Sequence, residues 1–198
     1  MTTTAAAAFV SENLTTRLSA TNAVLDNSTA SKINHSACRW CYNTIPLDEL
    51  CQRGKAIGLQ SIDLLTLDEI PTAQKYGLTS GMVQMDLKGY GIVKCFNRIE
   101  NHKALVEYYE DRIPKAAKLG LTNFICFSGN RDGLSDEQGL ANCVIGLKKL
   151  MPLAEKHGIT ICMELLNSKV DHKDYQCDHT DWGVALSKSI GSERFKLL

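Results

Sequence analysis

The chain has 198 residues, 44% of them hydrophobic and 22% charged, with 22 basic and 22 acidic side chains. That size and mix describe one ordinary globular core rather than two. The zero net charge argues against a large electrostatic footprint for nucleic acid, and with no run of about eighteen apolar residues no membrane-spanning helix is expected.

The first 31 residues differ in kind from the rest. MTTTAAAAFV runs into SENLTTRLSATNAVLDNSTASK, rich in Ser, Thr, Asn and Ala and without periodicity. Residues 1–31 therefore read as a disordered or signal-like leader, and 32–198 as the folded part. TTTAAAAF resembles the apolar portion of an export signal. No basic stretch precedes it and no full apolar core follows, so the default expectation is a cytoplasmic protein.

From there one pattern recurs: a helix-like segment, a glycine, then a short apolar strand. It is seen in KAIGLQSIDLL, QKYGLTSGMVQM, AKLGLTNFICF, EKHGITICMEL and SKSIGSERFKLL, with glycines at 58, 77, 120, 158 and 191. Glycine suits the left-handed turn that ends a helix, and the basic residues near it suit the helix C-terminus. Leu105, Tyr108, Tyr109, Ile113 and Ala116 share one helical face. So do Leu140, Cys143, Val144, Leu147, Leu150 and Met151. Pro114 and Pro152 fall inside these patterns and are expected to bend the helices.

Strands are expected near 33–38, 61–65, 80–85, 123–128, 159–165 and 195–198, apolar on both faces as buried parallel strands are. Six strands alternating with five helices define a parallel α/β fold. A dinucleotide-binding sheet is disfavoured, because the first strand ends in CRWCYNTIP rather than a glycine-rich phosphate loop. An incomplete (β/α)8 barrel of the TIM type fits better. Such barrels take about 250 residues, and here the sixth strand coincides with the last residues, so a truncated barrel is expected.

In a parallel barrel the chemistry sits at the C-terminal ends of the strands. The first strand ends in Arg39, Trp40, Tyr42 and Asn43. The third ends in Gln84, Asp86 and Lys88, before Gly89 and Gly91. The fourth ends in Ser128, Asn130, Arg131 and Asp132. The fifth contains Glu164 and leads to Asn167, Lys169, Asp171 and His172. Glu164 is the sharpest signal. A carboxylate within an apolar strand must be paired, protonated or metal-bound, because burying it alone costs several kcal/mol. Metal ligation by Glu164 is the more attractive reading, since hard cations prefer carboxylates. A buried ion pair with a neighbouring Lys or Arg is the alternative. Cys38 and Cys41 have redox-motif spacing, against a plain packing role.

HSACRWCYN, FSGNRDG and above all MELLNSKVDHKDYQCDHTDWG resemble the hydroxypyruvate isomerase family, within the wider group of xylose isomerase-like TIM barrels. The resemblance covers about 33–198. It implies conversion of hydroxypyruvate to tartronate semialdehyde with a divalent metal, Mg²⁺ or Mn²⁺. It also implies that Glu164 is both a metal ligand and one of two catalytic glutamates, the remaining ligands coming from strands six to eight of the family barrel. On that view the chain alone does not coordinate the ion fully.

Arg39 and Arg131 are then candidate carboxylate binders, against surface or ion-pair roles. With Asn130, Asn167, His172, His179 and Trp182 they make up the candidate substrate-binding set, the last three on a loop that could close over a small substrate. The local alternative is that Thr180 or Asp178 caps the next helix. The expected partner is a small hydroxy-carbonyl compound, with no nucleic acid and no membrane, and a homo-oligomer is compatible with this reading. A related ketose 3-epimerase or sugar isomerase shares the proton transfer. An inactive barrel fragment is the contrasting class. Endonuclease IV shares the fold but has a histidine-rich three-metal site, which Gln84 and Asp86 do not match.

Overall fold

A computed structural model describes residues 33–198, and the leader at 1–31 lies outside the described residues. The regular strands are β1 (Ser36–Cys38), β2 (Ser61–Asp63), β3 (Asn123–Cys126), β4 (Thr160–Met163) and β5 (Phe195–Leu197). The helices are α1 (Leu47–Ala56), α2 (Ile70–Lys75), α3 (His102–Lys118), α4 (Asp136–Lys148), α5 (Met151–His157) and α6 (Thr180–Ile190).

Every pairing between these strands is parallel. β1 lies on β2 with Ser36 opposite Ser61. β3 lies on β4 with Asn123 opposite Thr160, and β4 on β5 with Ile161 opposite Phe195. The expected strand near 80–85 is not a regular strand, but it does a strand's work. Ile62 N–H donates to Thr79 O (3.0 Å) and Gln84 N–H to Leu65 O (2.9 Å). On the other side Val83 N–H donates to Asn123 O (3.0 Å) and Ile125 N–H to Val83 O (3.1 Å). Residues 79–84 thus join the two short sheets into one parallel series in chain order. The ladder is irregular where Leu64 takes a left-handed backbone, φ 58°, a conformation costing a non-glycine residue about 1–2 kcal/mol, although its N–H still donates to Met82 O (2.8 Å).

The glycine punctuation is realised: Gly58, Gly77, Gly120, Gly158 and Gly191 all have φ between 66° and 91°. Gly158 and Gly191 are themselves the left-handed caps of α5 and α6. Proline behaves in two ways. Pro114 sits within the unbroken α3. Pro152 instead opens α5, so the single helix expected over this stretch divides into α4 and α5, a proline being well tolerated in a first helical turn and poorly within one. The described residues thus hold six α-helices where the sequence pattern gave five.

The core forms where the helical faces meet the sheet. Leu105, Tyr109, Ile113 and Ala116 of α3 are fully buried. Tyr109 packs on Phe124 with ring centroids 5.1 Å apart and donates its hydroxyl to Ile125 O at 2.6 Å. This fastens α3 to β3 and sets the strand ends that build the site. On the second face Cys143, Leu147, Leu150 and Met151 are buried, with Leu140 and Val144 half-buried.

Candidate active site

A cavity of about 480 Å³ opens at the C-terminal ends of the strands. Its walls come from successive strand ends: Arg39, Trp40 and Asn43 after β1, Leu64 after β2, Gln84 after the 79–84 segment, Ile125 and Phe127 at β3, and Glu164, Leu166 and His172 after β4. β1 to β4 and the 79–84 segment each deliver a side chain because parallel strands in one register end at one level; β5 delivers none.

Glu164 is the first residue beyond β4. Its backbone is fixed twice: its N–H donates to Cys126 O (3.1 Å), and its carbonyl accepts from the Tyr175 hydroxyl (2.9 Å). The half-buried side chain lines the cavity. Among the described residues its carboxylate is in no ion pair and no hydrogen bond is formed by its side chain. Burial pushes its pKa above the ordinary glutamate value, and His172 pulls it back only in part. The buried ion pair weighed for Glu164 is therefore not what the structure contains. A carboxylate left in this way can hold and release a proton nearer neutral pH than a free glutamate does.

Arg39 faces the same cavity and is also paired. Its Nε lies 3.5 Å from Glu69 Oε1, and an Nη donates to Tyr42 O at 2.9 Å. Glu69 in turn accepts from Thr66 N–H (3.0 Å) and the Thr66 hydroxyl (3.1 Å). The guanidinium is held rigidly at the rim with donors to spare. Glu69 escaped sequence reasoning, since it sits between strands and no motif marks it.

The structure divides the remaining candidates from the cavity. Arg131 turns away from it and clamps the loop after β4. It donates to Asp178 (2.8 Å) and Asp136 (3.1 Å) and closely to the Tyr175 carbonyl. Asn130 bridges antiparallel to Tyr175. Trp182 is buried and donates its indole N–H to Asp136 O (3.0 Å). His179 is exposed and meets Asp178 at 2.6 Å. The Asn167 side chain accepts from Lys169 N–H (2.9 Å), closing a local turn. Thr180 is the first residue of α6 rather than its cap; His179 holds that place without a side-chain cap bond. None of Asn130, Arg131, Asn167, His179 or Trp182 lines the cavity at Glu164.

The loop is consequently anchored rather than free to swing. Tyr175, Gln176 and Cys177 are fully buried. The Tyr175 hydroxyl accepts from Ser128 N–H (3.0 Å) while donating to Glu164 O, so this one phenol ties β3's end to β4's end behind the carboxylate. Burial alone would raise the Asp178 carboxyl, yet hydrogen bonds from Arg131, Ser168 and His179 hold it down at about 2. Only the tertiary structure exposes Tyr175; in the sequence it is one aromatic in a polar loop.

No group of three or more His, Cys, Asp or Glu is placed to hold a metal ion among the described residues. Two carboxylates line the cavity, Glu69 and Glu164; Glu69 is engaged by Arg39 and Thr66, so a full coordination shell for the divalent ion that the sequence motifs imply does not fit these residues alone. All eight cysteines are free, with Cys38 half-buried and Cys41 exposed, so the Cys-x-x-Cys spacing carries no disulfide. Burial raises the Cys38 thiol pKa, the opposite of an activated thiol. No helix among the described residues is long and apolar enough to cross a membrane.

Among solved structures, the chain is similar to an AP endonuclease, family 2, from Brucella melitensis, with a TM-score of 0.71 and 16% identity over 83% of this chain and 67% of that one. It is similar to a D-psicose 3-epimerase from Clostridium cellulolyticum H10, with a TM-score of 0.64 and 12% identity over 83% and 62%. It is also similar to the IOLI protein with a binding zinc atom, with a TM-score of 0.62 and 13% identity over 83% and 62%. The fold is α/β of the TIM-barrel type, with an incomplete barrel among the described residues. The chain spans about two thirds of the length of these structures or a little less. No family model and no curated protein matches the sequence.

Proposed function

We propose that the cavity carries out proton transfer on a small α-hydroxy-carbonyl compound, with hydroxypyruvate as substrate and tartronate semialdehyde as product. Glu164 is the catalytic base. Its carboxylate takes a proton from the hydroxymethyl carbon, and the C–H electron pair moves toward the carbonyl to give an enediolate. The proton returns to the neighbouring carbon, while the hydroxymethyl oxygen gives up its proton as it becomes the aldehyde and the former ketone oxygen takes one up, so the reaction needs no outside oxidant or reductant. Arg39, held by Glu69, offers guanidinium N–H groups to the substrate carboxylate. His172 is the nearest titratable partner of Glu164. The divalent ion implied by the motifs, Mg²⁺ or Mn²⁺, would take Glu164 as a ligand, and the rest of its shell is not supplied by the described residues.

The observation that supports this reading is the Glu164 carboxylate, without an ionic partner in the cavity wall and with a pKa raised by burial. The test is deuterium wash-in at the hydroxymethyl carbon of hydroxypyruvate in D₂O, followed by NMR with Mg²⁺ or Mn²⁺ present. Exchange above the protein-free rate, lost in Glu164→Gln, is expected. Equal exchange by the variant sinks the role given to Glu164, and no exchange by the parent favours a non-catalytic chain. A ketose 3-epimerase performs the same step on a longer chain, and the shape of the cavity bears on that choice.

A further inference from the structure

The cavity at Glu164 adjoins a second one across a shared wall. Gln84, Ile92 and Phe127 border it and also border a second cavity of about 470 Å³. A three-carbon acid, allowed roughly 30 Å³ per heavy atom, takes up about 200 Å³, so hydroxypyruvate leaves most of this space empty. The outer wall of the second cavity is the loop over residues 87–94. Gly89 (φ 82°) and Gly91 (φ 146°) turn it, and a side chain at either position would meet nothing within 4 Å, so open space adjoins the backbone there.

One charge faces this second space. Lys94 lines it, with its ammonium 4.8 Å from the Tyr90 ring centroid. No Asp or Glu shares that lining. Among the described residues Lys94 forms no ion pair, whereas Arg131 is committed to two carboxylates. Lys94 is exposed and also borders a neighbouring surface hollow with Arg98, Glu100 and Asp132, but within the second cavity it is the one charge, resting on an aromatic face, and such a cation is a receptor for an incoming anion.

We propose that the second cavity is a distal subsite for the anionic far end of a longer hydroxy-carbonyl chain, with Lys94 as its charged contact. The inference rests on Glu164 as the proton-transfer group and extends the substrate class. The reacting carbons lie at Glu164, the middle of the chain passes Gln84 between Ile92 and Phe127, and a terminal phosphate or carboxylate meets Lys94.

The experiment uses the full chain with Mn²⁺ and four probes: hydroxypyruvate, D-ribulose, D-ribulose 5-phosphate and D-fructuronate. Deuterium wash-in gives kcat/KM for each. One of the two long anionic probes should exceed D-ribulose by about tenfold or more, the scale of one charged hydrogen bond. Which of them leads identifies phosphate or carboxylate. Lys94→Gln should shrink that ratio to near one, and Lys94→Glu should invert it. Equal losses on charged and neutral probes, or no change in the ratio, overturn the subsite. If no probe exchanges, the proton-transfer reading fails, and calorimetric titration of the same probes still judges the subsite. Tighter binding of a long anion that Lys94→Gln removes supports it; indifferent binding overturns it.

Discussion

Two loops flank the mouth of the cavity and are held in opposite ways. The loop after β4 is tied down: Tyr175, Gln176 and Cys177 are fully buried, and Arg131 spans from Asp136 to Asp178 across it. The loop over 87–94 is held by its own turns, Tyr90 N–H to Leu87 O (3.0 Å) and Gly91 N–H to Lys94 O (3.0 Å), and by one outside backbone bond, Asn130 N–H to Val93 O (2.8 Å), with the Val93 side chain exposed at its tip. The fixed loop stands behind the carboxylate assigned to proton transfer. The lightly held one stands where the substrate's far end would lie. Proton transfer needs a base fixed in place, while a subsite for a chain end tolerates adjustment.

The sharpest way to break this comparison is at Arg131. Arg131→Met leaves Asp178, whose side chain is 5% exposed, without its guanidinium. The expected cost is about 3 kcal/mol in chemical denaturation, and a cost below about 1 kcal/mol would show that the clamp is ornamental. Asp178 also gives a pH signature. Its folded pKa is depressed to about 2, so its stabilisation is present above the ordinary aspartate pKa and is lost as pH falls toward 2. Arg131→Met should flatten that acid limb of the stability curve.

Next is Glu164→Gln, expected to slow deuterium wash-in by about a hundredfold, the scale of a general base. The same variant should be more stable than the parent at neutral pH. A carboxyl whose folded pKa is raised stabilises the fold at acid pH and loses that contribution as pH rises through its folded pKa. The stability difference should therefore vanish below about pH 4. Thermal melts at pH 3.5 and 7.5 check both halves.

Tyr175→Phe removes the hydroxyl shared by Ser128 and Glu164 and should cost about 1–2 kcal/mol. As a positioning residue it should also lower kcat for wash-in more than it changes KM. The smallest effect is expected on the other loop, where Gly89→Ala meets no neighbour but strains a positive φ, about 1 kcal/mol by denaturation. A larger loss there than at Tyr175 would reverse the contrast between the loops.

Much of the fold was legible in the sequence because its signals are local. Five glycines mark five helix ends, and helical spacing placed Leu105, Tyr109 and Ile113 in the core. The third strand was legible only in part, since its pairing to β2 and β3 is made irregular by the Leu64 backbone, which no residue type announces. The candidate site was half legible. Strand-end position placed Arg39, Glu164 and His172 on one cavity, but the same logic drew in Arg131, His179 and Trp182, which serve the loop clamp instead. Composition cannot tell a donor facing a cavity from one facing the next loop's carbonyls.

The sequence by itself determined a parallel α/β chain with an acidic residue at the end of its 159–165 strand, because period, glycine caps and an isolated charge in an apolar run are properties of neighbouring residues. The tertiary structure alone decided which polar groups share a cavity, that Tyr175 backs Glu164, and that a second space opens beside Lys94. Those facts depend on groups tens of residues apart in the chain, and their side-chain directions are settled only when the strands and loops pack.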